Sequence, residues 1–187
     1  MNITYKPIGI IRTPFKSGEG MPIQPTGANG TKGTIELKKE FTDGLLDLIG
    51  FSHIILIYHF HESDGFALQT KPFLDDKIHG VFATRAPKRP NPIGMSIVKL
   101  THVKSNILEI ENVDMLDGTP LLDIKPFIPA FDEVSSATSG WMTHPEKNLK
   151  NFKSDNSIYS CTRFNVCISH FNQFWLIVIR EQTVCTI

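Results

Sequence analysis

Two histidines, His59 and His61, stand two apart in the run SHIILIYHFH at residues 52–61. On a strand that spacing puts both rings on one side, where they could ligate a metal or line a cofactor pocket. No third ligand follows at a usable spacing, so a hydrogen-bonded pair near a pocket mouth is the plainer reading. A second stretch, FATRAPKRPNPIGMS, sets Arg85, Lys88 and Arg89 among Pro87, Pro90 and Pro92. A residue before proline is driven out of the helical region, and each proline removes a backbone donor. Ala86, Arg89 and Asn91 are therefore expected to be extended. Three bases held at fixed spacing suit an anion or a nucleic-acid backbone; a stiff connector with solvated charges would look the same. The third stretch, Leu116-Asp117-Gly118-Thr119-Pro120, reads first as a turn. Its other use is a tight loop whose backbone reads an adenine edge, with Gly118 permitting close approach.

Other chemistries lack their residues. There is no G-x-G-x-x-G after a strand, no Walker A, no G-x-S-x-G and no H-E-x-x-H. Cys161, Cys167 and Cys185 have no activating setting, so a thiol nucleophile is not expected. Three cysteines without a Cys-x-x-Cys argue against a disulfide scaffold or zinc ribbon.

The elements that must position these motifs are mostly strands. Ile3–Ile11 is β-rich, and Gly33–Leu37 alternates as a half-buried strand does. Ser52–His61 places Ile55, Ile57, His59 and His61 on one face and Ile54, Leu56, Tyr58 and Phe60 on the other. Both faces look covered, which predicts a central strand. Further strands are expected at Ile78–Arg85, Gly94–Val103, Ile107–Val113 and Leu121–Lys125, with a turn at Asp117-Gly118 between the last two. Asp43–Ile49 is a candidate short helix, with Thr42 or Asp43 as N-cap and Gly50 at its end. The Gly/Pro/Ser-rich segment Ser17–Lys32 is a long loop of the kind that is usually functional. Short strands with Gly/Pro turns and few helices predict an all-β protein, a barrel or sandwich.

The chain has 187 residues, enough for one domain with an appendage. Composition shifts at Ser135, so the main domain is placed at 1–134 and a C-terminal tail at 135–187. Lys+Arg and Asp+Glu are 19 each, so any nucleic acid must be held by a local patch. The N-terminus has no signal-peptide pattern, and the apolar run Phe174–Ile179 is too short to span a bilayer. A cytoplasmic protein without a membrane partner is expected.

Five segments occur in order: PIGIIRTPF at 7–15, GMPIQ at 20–24, GFSHIILIYHFH at 50–61, GVFATRAPKRPNPIGMS at 80–96 and LDGTPLLDIKPFIP at 116–129. Together they resemble the TsaA-like family, also called YaeB or TrmO, over residues 1–133. The family includes tRNA methyltransferases that use S-adenosyl-L-methionine. The resemblance implies a single small β-barrel with a few short helices, usually a homodimer. It implies methyl transfer to the exocyclic nitrogen of threonylcarbamoyl-adenosine beside the tRNA anticodon. Carried over by motif, the cofactor site comprises Pro22, Ile23 and Gln24 of the long loop, His61 and Glu62, Arg85, Met95, and Leu116, Asp117, Gly118 and Thr119. Ala86 departs from the family, which more often has serine there. Lys153-Ser154-Asp155-Asn156 resembles the family's terminal region, while residues from Ile158 onward match nothing familiar.

Methyl transfer from a sulfonium is chiefly a matter of alignment, but the amide-like acceptor nitrogen must also lose its proton. His59, His61, Tyr58 and Asp117 are the candidate acceptors, and the choice among them stays open. Lys88 and Arg89 are assigned to anticodon-stem phosphates, with Asn91 fixing the loop and Arg85 turned to the cofactor. No metal is expected. Two alternatives stand beside this reading: a methyltransferase of the same fold with a non-tRNA acceptor, and a non-enzymatic module that binds S-adenosylmethionine.

Overall fold

The structure, a computed structural model, describes residues 2–22, 27–72, 75–142 and 153–155. Its centre is a closed barrel of six antiparallel strands: β1 (Gly9–Arg12), β3 (Lys32–Leu37), β8 (Ile107–Glu111), β7 (Ile93–Lys104), β4 (His53–His59) and β9 (Thr119–Pro126), in that order around the ring. β1 closes it by pairing with β3 through Ile11↔Ile35 and with β9 through Gly9↔Leu121. Two short ribbons lie outside the ring. One pairs β2 (Glu19–Pro22) with β10 (Lys153–Asp155), the other β5 (Gln69–Thr70) with β6 (His79–Gly80).

Alternation makes the barrel. Each strand turns one face inward, and the inward residues are Ile11, Ile35, Leu37, Ile54, Leu56, Tyr58, Val98, Leu100, Leu108, Ile110 and Leu121. Gly94 sits directly under the Tyr58 ring, where an added Cβ would collide with the aromatic carbons. Irregularities at Ile57/Tyr58 in the β4–β9 pair and at Leu100/His102 in the β7–β8 pair bend the strands around the ring.

The all-β expectation holds, and β4 is central, between β7 and β9. Three local readings are corrected. Ile78–Arg85 is not one strand; β6 covers only His79–Gly80 and a 3-10 turn follows at Val81–Ala83. The carbonyls a ladder would need there are taken by Thr84 and Arg89 side chains. Asp43–Ile49 is two 3-10 turns, Lys39–Leu45 and Leu48–Gly50, separated where Asp47 adopts φ 63°. That left-handed residue breaks the helical path. The opening strand starts at Gly9 rather than Ile3, and Ile3 and Tyr5 are exposed. The expectations for 143–152 and 156–187 lie outside the described residues.

Register fixes where the loops emerge. β1, β4 and β8 end, and β3, β7 and β9 begin, at the same end of the barrel: Arg12↔Thr34, His59↔Ile93, Lys32↔Glu111 and Ile11↔Thr119. The connections 13–31, 60–92 and 112–118 therefore share one rim. The chain leaves β9 at the opposite end, beside the start of β4, where Ile54 pairs with Pro126. A short helix, α1 (Pro129–Asp132), follows.

Candidate functional site

The rim gathers the sequence motifs. β4 stops at His59 because Pro92, which accepts from Phe60 N–H at 2.8 Å, has no N–H to return, and Phe60 O accepts instead from Ser63 N–H at 3.1 Å, closing a turn. His61 therefore lies in the turn, past the strand, and the expected shared strand face for His59 and His61 is lost. Thr119 Oγ1 donates to Leu116 O at 2.7 Å and lies 3.5 Å from His61 Nδ1. With its proton committed to Leu116 O, Thr119 can only accept from His61, through a hydrogen on Nδ1. Nε2 lies 3.5 Å from the Glu62 carboxylate, which would accept a hydrogen carried there.

The Leu116–Thr119 turn is built tightly. Asp117 N–H donates to Phe15 O at 2.7 Å and Gly118 N–H to Ile11 O at 2.9 Å. Gly118 takes φ 79°, and no atom lies within 4 Å of the place its Cβ would occupy, so the face above it is open. Asp117 turns its carboxylate outward from this role. It accepts from Thr13 N–H at 3.0 Å and meets Lys16 Nζ at 2.7 Å. The Lys16 hydrogen bond holds its carboxyl below the usual range, which makes it a weak base. Leu116 is buried and Pro22 is buried in β2; Ile23 and Gln24 lie outside the described residues.

Inside the barrel mouth lies a polar cluster that the motifs did not single out. Ser96 Oγ donates to Asp114 Oδ1 at 2.7 Å and contacts Tyr58 Oη at 3.0 Å. Burial pushes the Asp114 carboxyl up to about 6, against the opposing pull of Ser96 and of the Arg85 charge. Arg85 is thus tied by charge to the residue two before Leu116. One signal was available: β7 alternation places Ser96 inward beside Gly94 and Val98, a polar residue at a core position.

The basic loop folds around one of its own bases. Arg89 Nη1 donates to Val81 O at 3.1 Å, Thr84 O at 2.9 Å and Ala86 O at 3.4 Å, and its guanidinium lies over the Phe82 ring at 5.8 Å. The side chain expected to face outward turns a nitrogen back into the loop. Arg85 and Asn91 are exposed and Lys88 is half-buried. Met95 lies on the outward face of β7, exposed with Ile93 and Ile97. No hydrogen bond among the described residues joins Arg85 or Met95 to the His61–Thr119 pair.

The chain beyond 134 also comes back to this rim. Trp141 Nε1–H donates to Ala83 O at 2.8 Å and its ring stacks on His79 at 4.4 Å. A hydrogen bond from His79 holds the Asp75 carboxyl below its ordinary range. β10 pairs with β2 through Lys153↔Pro22 and Asp155↔Glu19. Among the described residues, no group of three or more His, Cys, Asp or Glu is arranged to hold a metal, and no helix is long and apolar enough to cross a membrane.

A closed barrel whose long connections form one rim defines a small domain that carries its site on loops. The chain belongs to the tRNA-methyltransferase O N-terminal domain family, whose model matches residues 10–133. It is 50% identical over 158 residues to a probable S-adenosyl-L-methionine-binding protein of Pyrococcus abyssi, covering 84% of this chain and 86% of the relative. It is 35% identical over 138 residues to a tRNA (adenine(37)-N6)-methyltransferase of Mus musculus, covering 70% of this chain and 32% of the relative. A crystal structure of TrmO from Pseudomonas aeruginosa superposes with a TM-score of 0.65 at 38% identity, covering 75% of this chain and 63% of that one. The chain thus spans less than two thirds of both the mouse relative and the crystallised chain.

Proposed function

We propose that this protein transfers a methyl group from S-adenosyl-L-methionine to the exocyclic nitrogen of threonylcarbamoyl-adenosine next to the tRNA anticodon. The observation that carries the reading is the convergence at one rim. The HFHE turn meets the LDGT turn at His61–Thr119, the proline loop bonds to the end of β4 through Phe60–Pro92, and Arg85 lies within charge reach of Asp114. The names of the mouse and Pyrococcus relatives support the reaction and the cofactor.

The residues present fit that cofactor. Gly118 leaves an open face over the turn, and the Glu62 carboxylate beside it is exposed and able to accept hydrogen bonds. Pro22, Ile23, Gln24, Glu62, Arg85, Met95, Leu116, Gly118 and Thr119 would hold it. The bound sulfonium supplies an activated methyl group. The chain's own tasks are to orient the acceptor and to take its proton. Of the four candidate acceptors, Tyr58 is buried and bonded to Ser96, Asp117 is committed to Lys16, and His59 ends the strand away from the turn contact. His61, the one candidate at the turn contact, would take the proton, with Glu62 at 3.5 Å from Nε2 placed to stabilise the imidazolium that forms. Lys88 and the exposed Asn91 would face the RNA. An unpaired loop base is presented to such a site without breaking a duplex.

The implied homodimer would cover the outward Ile93 and Ile97. A second reading, methylation of a non-tRNA acceptor, is favoured by one observation: Arg89 is spent inside its loop, which shrinks the basic grip on a protein of zero net charge.

The test is transfer of labelled methyl from S-adenosylmethionine to tRNA of a strain lacking the modification. Label is expected at the adenosine beside the anticodon, and His61→Ala should lower turnover by about 10²-fold or more. Bound cofactor with no label on that adenosine removes the tRNA assignment, and label on another acceptor selects the second reading.

A further inference from the structure

Phe82 is 75% exposed, in the middle of the 3-10 turn Val81–Ala83. A lone exposed apolar side chain is ordinary on a protein surface. What sets this one apart is how firmly it is held there. Val81 before it is buried. The Val81 carbonyl accepts from Thr84 N–H at 3.1 Å, from Thr84 Oγ1 at 2.9 Å and from Arg89 Nη1 at 3.1 Å. Ala83 after it is fixed from outside the loop, since its carbonyl accepts from Trp141 Nε1–H at 2.8 Å. Both neighbours are anchored, so the ring is held out in water and a partner would find it already ordered.

The surroundings say what such a ring would meet. The Arg89 guanidinium lies 5.8 Å from the ring centroid, kept there by its further bonds to Thr84 O and Ala86 O. From Lys77 to Pro92 the chain carries Lys77, Arg85, Lys88 and Arg89 and no carboxylate. An exposed aromatic face among cations is the combination that takes unpaired nucleobases: the ring stacks on the base while the cations balance the backbone. Leu68 and Ile78 are also exposed on this connection, so a second copy of the chain is the competing occupant. A two-fold contact there would set the four bases of one copy against the same four of the other, and like charges brought together oppose it. A polyanion meets no such repulsion.

We infer that Phe82 is a base-stacking residue of the rim, and that it takes an unpaired nucleobase beside the methylated adenosine in the tRNA anticodon loop. The inference rests on the tRNA reading given above and deepens it. The adenosine itself belongs at the His61–Thr119 contact, so the base on Phe82 is its neighbour. The contact adds stacking to a grip that the basic side chains alone would leave purely electrostatic.

Steady-state kinetics with tRNA of a strain lacking the modification should show the KM for tRNA of Phe82→Ala raised by about five- to hundredfold. Its kcat should change much less, and its affinity for S-adenosylmethionine by calorimetry should not change. Its melting temperature should stay within about 2 °C of wild type; a larger fall would make Phe82 a structural residue and overturn the inference. Phe82→Trp should bind tRNA as wild type does, and Phe82→Leu, apolar but without a ring, should not. Of two anticodon stem-loops, each abasic on one side of the target adenosine, one should cost wild type the same factor and cost Phe82→Ala nothing further. Losses that simply add on both abasic RNAs would take the base off the ring and overturn the inference. Unchanged tRNA affinity in Phe82→Ala, or Phe82→Leu as good as Phe82→Trp, would also overturn it, with the tRNA reading intact. So would sedimentation in which Phe82→Ala is monomeric where wild type is dimeric, which gives the ring to a second copy. If wild type neither binds nor methylates tRNA, the tRNA reading itself fails, and this inference falls with it.

Discussion

Asp114 shows how one carboxyl can be useful at a site and harmful to the fold. Its hydrogen bond from Ser96 ties the barrel mouth together, yet burial lifts its pKa to about 6. The folded protein therefore holds the Asp114 proton more tightly than the unfolded chain does. The associated stability is fully present below about pH 4 and is lost as pH rises through about 6. Asp114→Asn keeps an acceptor for Ser96 and carries no charge. The variant should match wild type in thermal melts near pH 4 and exceed it by about 2–3 kcal/mol at pH 8, if the whole shift is realised. A gap that does not change between those pH values would remove the linkage. The residue was not legible as a candidate beforehand. ENVDMLDG offers two aspartates, and only the closed ring shows that Asp114 bonds inward to Ser96 while Asp117 bonds outward to Lys16.

Among the elements, the connection 81–92 most changes the meaning of its sequence. Its three prolines and three bases suggested a stiff comb of outward charges. Stiffness instead comes largely from Arg89, which gathers three carbonyls, aided by the Thr84 hydroxyl on Val81 O. Arg89→Ala should leave those carbonyls short of a donor and loosen the loop, destabilising the protein by about 1–3 kcal/mol. Hydrogen exchange at residues 81–92 would show the loosening. Lys88→Ala should weaken tRNA binding, measured by filter binding or fluorescence anisotropy; unchanged affinity would remove Lys88 from the RNA-facing set. The barrel strands were readable because each has one face in the core, so burial repeats every second residue. Ile78–Arg85 has strand-like composition too, but side chains claim its carbonyls, and composition carries no record of that. The 43–49 segment failed for a local reason, the left-handed turn at Asp47.

At the scale of the whole molecule, the ring of strands is complete by Pro126, but the rim is not. Trp141 covers His79, and β10 lies along β2, whose last residue leads into the expected cofactor loop. A chain cut after residue 134 should keep the far-ultraviolet circular dichroism of the barrel. It should bind S-adenosylmethionine about tenfold more weakly than a chain ending at 155, since β2 loses its only partner strand among the described residues. Equal affinities would show that the returning segment does nothing for the site. The break at Ser135, visible as a change in composition, falls after the ring has ended and before the segments that return to its rim.

Closure by β1 and β9 also sets a schedule. β1 is made long before its second partner, which ends at Pro126. On a ribosome adding 5–20 residues per second, roughly 6–23 s separate the appearance of Gly9 from that of Pro126. Through that interval Ile11 and Ile35 have no finished core to enter, so the nascent chain must wait with its most apolar side chains in water or on a chaperone.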